Sequence, residues 1–160
     1  MEESTQKNLN PVKFKMLENT ERSLEEEKRI LIVDDQGFNI DAALIILKYC
    51  IKLKDCDKIC DFASDGLKAF KKVKENIRKN NGSKTTYDLI MMDCNMPFMD
   101  GYEASNKIRR YLQELNLGQP VILAVTGHTE EEYVQRAIDS GMNQVLSKPL
   151  QADVLESILS

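Results

Sequence analysis

Nowhere in the 160 residues does an apolar run approach the roughly 20 that a membrane-spanning helix needs. The start, Met1-Glu2-Glu3, lacks the basic opening and apolar middle of a secretory signal, so a cytoplasmic protein is expected. Histidine occurs once, at His128, with no thiol near it in sequence, and Cys50, Cys56, Cys60 and Cys94 form no CxxC pair. A zinc site is therefore not expected. The cysteines are expected as free thiols packed like small apolar groups, with no disulfide framework. No glycine-rich nucleotide motif is present, so no kinase is read here. A basic excess is missing too: the formal net charge is -4, which argues against a general nucleic-acid binder.

Hydrophobic residues make up 42% and charged residues 30% of the chain, ordinary proportions for one globular domain with a tail. Residues 1–28 are polar, hold Pro11 and close in a charge run, which reads as a tail or linker. Ser23 and Glu26 form a possible capping box there. From Lys48 to Lys84 basic residues outnumber acidic ones, a pattern that suits a solvated helix face or a dock for an acidic partner.

From Ile30 onward a regular alternation sets in. Ile30-Leu31-Ile32-Val33 is a continuous, β-branched-rich run, as in a strand buried on both faces of a parallel sheet. Asn39–Leu53 reads as a helix with Ile40, Ala43, Leu44, Leu47 and Ile51 on one stripe. Lys58–Ser64 is expected as a strand, and Asp65–Lys79 as a helix with Leu67, Phe70, Val73, Lys74 and Ile77 on its inner side. Tyr87–Asp93 follows as a strand, stopped by Pro97 and Gly101, and Glu103–Leu117 as a helix carrying Ile108, Leu112 and Leu115. Val121–Val125 is a fourth strand. Thr129 looks like the cap of a helix that closes at Ser140-Gly141. Asn143–Ser147 and Ala152–Leu159 complete the set. Five strands alternating with five helices predict an α/β fold, a doubly wound parallel sheet with helices on both faces, over residues 29–160.

Ligands of such sheets bind outside the carboxyl ends of the strands. Those ends carry Asp34-Asp35, Asp93, Thr126 and Lys148, in strands otherwise apolar. Three carboxylates at one edge repel each other unless a cation joins them. A hard oxygen set with few protein donors suits Mg²⁺, which keeps room for phosphate oxygens. The Lys148 ammonium suits a phosphoryl oxygen as a point charge, and Thr126 adds a hydroxyl donor. A carboxylate so placed can attack phosphorus and carry an aspartyl-phosphate.

Asp34-Asp35, Asp93 followed by Met96-Pro97-Phe98-Met99-Asp100-Gly101, Thr126-Gly127 and Lys148-Pro149 together resemble the receiver domain of two-component response regulators, in the style of receivers attached to hybrid histidine kinases. The resemblance covers about residues 29–160. It implies a flavodoxin-like, CheY-like sheet of strand order 2-1-3-4-5 and a role in phosphorelay signalling. Asp93 would accept a phosphoryl group from a phosphohistidine on a histidine kinase or histidine phosphotransfer protein, and would share in binding Mg²⁺. Asp35 would hold the ion directly, Asp34 through water, and the backbone carbonyl of Asn95 would complete the protein ligands. Lys148 would pair with the phosphoryl group, with its bond to Pro149 cis, and Thr126 would be the switch hydroxyl. Asn95 and His128 stand where the family tunes hydrolysis of the acyl phosphate.

The sequence departs from the family at Val145, where an aromatic switch residue is common. No output module is recognisable after the receiver, so output is expected to pass through another protein or a larger chain. Two rival readings follow from the same residues. A degenerate receiver would act as a phosphate-independent interaction module. A phosphohydrolase using Asp93 would want a general acid close behind it and a substrate cap, but Cys94-Asn95 follow instead.

Overall fold

In the computed structural model, which describes residues 27–160, the apolar runs lie side by side as one parallel sheet. Its strands are β1 (Ile30–Val33), β2 (Cys60–Ala63), β3 (Leu89–Asp93), β4 (Val121–Thr126) and β5 (Gln144–Ser147), in the order β2-β1-β3-β4-β5. The expected order 2-1-3-4-5 holds. Register is fixed across the sheet, with Ile32 opposite both Phe62 and Met91, and Met91 opposite Leu123.

Alternation along these strands divides the interior into two cores. Leu31, Val33, Ile90, Met92, Ile122 and Ala124 face one side, where they meet α3 (Gly66–Lys79), α4 (Gly101–Glu114) and α5 (Glu131–Asp139). Ile30, Ile32, Leu89, Met91, Leu123 and Val125 face the other, against α1 (Gly37–Ile45) and α6 (Ala152–Leu159). Because both faces are covered, β1 and β3 are buried at every position. Helix starts are set by aspartates: the carboxylates of Asp65 and Asp100 accept from the backbone N–H of Lys68 and Glu103, each at 2.8 Å.

Several local expectations need correction. The helix expected to Leu53 leaves α geometry after Ile45 and continues as a π-helical segment, Ile46–Cys50, whose wider turn directs Leu47, Ile51 and Leu53 into the core together. Lys58 and Ile59 do not belong to β2. They lie in an added single-turn helix, α2 (Cys56–Ile59), entered through Asp55 in the left-handed region at φ 57°. Leu67 and Leu115 are exposed rather than internal. The inner stripe of α3 is Ala69, Val73 and Ile77, and Leu115 stands just past the end of α4. Lys74 places its ammonium over the Phe70 ring. Glu130, not Thr129, caps α5, and it does so without a side-chain bond. The Ser23–Glu26 pair and most of the 1–28 segment lie outside the described residues.

One polar side chain ties the lower end of this assembly. Arg109, on α4, donates from Nε to the Gly141 carbonyl at 2.8 Å, from Nη1 to the Pro120 carbonyl at 2.6 Å, and from Nη2 to Asn143 Oδ1 at 2.6 Å. Asn143 Oδ1 also accepts from the backbone N–H of Ile122 at 2.8 Å. Only a planar fork of donors satisfies three acceptors spread this way. Arg109→Lys keeps the charge and loses the fork, so its unfolding free energy in urea is expected to fall by about 2 kcal/mol. A loss within experimental error would show the fork to be dispensable.

Candidate functional site

Each strand that ends at the upper edge delivers a polar side chain there, because the chain leaves the sheet at that point and the apolar run stops. Past β1 come Asp34 and Asp35, β3 ends in Asp93, β4 ends in Thr126, and Lys148 follows β5. One carboxylate oxygen from each of Asp34, Asp35 and Asp93 lies within 4.8 Å of the others. Lys148 Nζ donates to Asp34 Oδ2 at 3.0 Å and sits 3.3 Å from Asp93 Oδ1. Asp34 Oδ1 accepts from the Gln36 backbone N–H at 2.9 Å and from Asn39 Nδ2 at 3.3 Å, which fixes its plane. Asn39 carried no signal in the sequence beyond its place in a helix.

Asp34, Asp93 and Thr126 are buried, at 5%, 5% and 1% exposure. Burial, with the charge of Asp34 beside it, pushes the Asp93 carboxyl up to about 6, even though Lys148 pulls the other way. Burial also acts against the Lys148 ammonium, yet the hydrogen bond it donates to Asp34 and the charges of Asp93 and Asp34 hold it above its ordinary value. One cation therefore faces three carboxylates. That imbalance, built from hard oxygen donors alone, fits a small divalent cation such as Mg²⁺.

The remaining expected residues fall around this centre. The Asn95 backbone N–H points at Asp93 Oδ1 from 3.4 Å, and its side chain is exposed. His128 is exposed too, stacked on Tyr133 with ring centroids 4.9 Å apart, while its backbone N–H reaches Thr126 Oγ1 at 3.1 Å. Val145 is half-buried on β5 beside Ala124 and packs into the core that faces α4 and α5. The Lys148–Pro149 bond is cis. Gly101, the last residue of the Met96–Gly101 motif, packs directly under Asp93. Its backbone N–H donates to the Cys94 carbonyl at 3.0 Å, and a Cβ there would fall on the Asp93 carbonyl oxygen.

Residues 30–160 match the response regulator receiver domain family over nearly the whole described chain. The chain belongs to that family. This receiver is 34% identical over 155 residues to the hybrid signal transduction histidine kinase B of Dictyostelium discoideum, covering 89% of this chain and 7% of that one. The receiver domain of the histidine kinase CKI1 from Arabidopsis thaliana, crystallised with Mg²⁺ and BeF₃⁻, aligns with a TM-score of 0.68 at 33% identity. That alignment covers 82% of this chain and 89% of the other. The receiver domain of Ssk1, crystallised with the histidine phosphotransfer signaling protein Ypd1 of Saccharomyces cerevisiae, shares the fold at 24% identity and a TM-score of 0.65, over 83% and 86% of the two chains. The sequence spans about a tenth of the length of the curated relatives it matches first. Among the described residues no helix is long and apolar enough to cross a membrane.

Proposed function

We propose that this receiver takes a phosphoryl group from a phosphohistidine onto Asp93 and thereby switches a protein-interaction surface. The observation that carries the reading is the meeting of three carboxylates and one ammonium at the strand ends, with Lys148 spanning Asp34 and Asp93. An Asp93 oxygen attacks phosphorus in line with the departing imidazole nitrogen: a P–O bond forms, the P–N bond breaks, and the donor histidine leaves with the electron pair. Asp34, Asp35, Asp93 and the Asn95 carbonyl are the residues that would hold Mg²⁺. When bound, the ion offsets carboxylate charge and draws phosphoryl oxygens into place. Lys148 exchanges part of its bonding to the carboxylates for a phosphoryl oxygen, and Thr126 offers its hydroxyl to another. Asn95 and His128, both at the rim, stand where they meet incoming water.

The donor we read as a histidine kinase or a histidine phosphotransfer protein in the cytoplasm, and the segment as a receiver of the hybrid-kinase kind. Support for a docking partner comes from two exposed aromatics beside the site. Phe38 and Phe98 follow the last residues of β1 and β3 by five positions each, and stand 68% and 94% exposed. With Val145 in place of an aromatic, the movement of Thr126 is passed on through the backbone of β4 and β5, which pair at Thr126 and Ser147.

Incubation with Mg²⁺ and a small acyl-phosphate donor, followed by intact mass, tests the reading. Wild type is expected to gain one phosphoryl mass, labile to base, and to gain none in the presence of a chelator. No gain under either condition would leave a phosphate-independent interaction module as the better account.

A further inference from the structure

Two cysteines outside the site are placed for chemistry on each other. Cys56 opens α2 and Cys60 opens β2, and their Sγ atoms lie 3.8 Å apart, with both residues buried at 3% and 2% exposure. The turn between them is a complete helical one, because the Cys60 backbone N–H donates to the Cys56 carbonyl. Four residues at helical rise separate the two Cα atoms by about 6 Å, inside the window that a disulfide spans. The sulfurs need to close by about 1.8 Å, and the Cβ atoms of a helical i, i+4 pair, about 5–6 Å apart, draw together as the single turn of α2 loosens.

From this placement we infer that Cys56 and Cys60 form a reversible dithiol site, oxidised by hydroperoxides to an intramolecular disulfide. The two thiols have different parts. Either sulfur can donate in the contact they share, and that contact holds the Cys56 thiol below its ordinary value and, together with burial, pushes Cys60 up. Cys56 sits in the single-turn helix that opens and Cys60 in a strand paired to β1, so Cys56 is the attacking sulfur and Cys60 the resolving one. The Cys56 thiolate attacks a peroxide oxygen and the O–O bond breaks, leaving a sulfenic acid and an alcohol or water. Cys60 sulfur then displaces the sulfenic hydroxyl as it loses its proton, and that hydroxyl leaves as water. Two thiols are oxidised and one peroxide reduced. Access comes through α2, a four-residue helix with no side-chain cap at Asp55, tethered by the Lys48–Asp57 ion pair at 2.6 Å. A single helical turn has little stability of its own and opens locally.

Wild-type protein is treated with hydrogen peroxide, denatured without reductant and alkylated with N-ethylmaleimide. Two of its four thiols are expected to escape alkylation, the mass to fall by two hydrogens, and dithiothreitol to restore both. Trypsin without reductant should release residues 55–58 joined to residues 59–68. A Cys50→Ser variant should give the same joined peptides, since Cys50 is exposed and takes no part. Four alkylated thiols, a link through Cys50, or added oxygen without a link would each overturn the assignment.

Discussion

Asp93→Asn is expected to end phosphoryl uptake outright and, in the same molecule, to make the fold more stable. Loss of uptake follows from the acceptor role proposed for Asp93, since an amide among Asp34, Asp35 and Lys148 is neither charged nor nucleophilic. The gain in stability follows from linkage. In the folded protein the Asp93 carboxyl sits at about 6 rather than 3.8, so the folded state binds that proton more tightly than the unfolded chain does. Below 3.8 both states are protonated and the group costs nothing. As pH rises through the window to about 6 the unfolded chain ionises first, and above it the folded protein carries a buried charge that it resists. Asparagine never ionises. The stability gap between variant and wild type in chelator should therefore be small at pH 4 and reach about 2 kcal/mol by pH 7. Urea denaturation at the two pH values measures it. A gap that is the same at both, or a variant less stable than wild type at pH 7, would show that Asp93 is not held uncomfortably. Phosphoryl mass gain by the variant would remove Asp93 as acceptor.

Gly101→Ala should be the most damaging single-methyl change in the receiver. The new Cβ would lie 2.9 Å from both the Asp93 carbonyl carbon and Met92 Cγ, besides falling on the Asp93 oxygen. Asp93 cannot retreat, since β3 is paired on one side to β1 and on the other to β4. Helix α4 has to back away instead, opening the core around Tyr102, Ala104 and Ile108. Overpacking of this kind costs about 3 kcal/mol, a large share of the 5–15 kcal/mol that holds a typical domain together. Gly118→Ala is the matched control, because a Cβ there meets nothing within 4 Å. Urea midpoints of the two variants decide the matter, and a Gly101→Ala midpoint level with the Gly118→Ala one would contradict the close approach.

What could be read from the chain and what could not divides along physical lines. β1, β3 and β4 were legible because a strand covered on both faces must be apolar throughout, and no helix needs so short a run. Asp34, Asp35, Asp93, Thr126 and Lys148 stood out as the polar residues that end those runs. Leu67 misled because apolar character alone does not give phase: it lies two residues, or about 200° of helix, from Ala69 on the true inner stripe. The start of β2 was hidden because Ile59 is as buried in a helical turn as it would be in a strand. Gly101 and the Cys56–Cys60 contact depend on which segments approach in space, and neither residue type announces that. Arg109 looked like any surface arginine on a charged helix until Gly141, Pro120 and Asn143 converged on it.

Those three partners precede β4 and β5, at the end of the sheet away from Asp93. The arginine is therefore a fulcrum. With α4, β4 and β5 pinned together at their far end and Thr126 and Lys148 at the near one, the proposed switch would tilt the three elements about Arg109 rather than slide them. The lever arm of that tilt would be the length of β4, so the swing would be widest at the loops around Gly127 and Ser147 and smallest at Asn143.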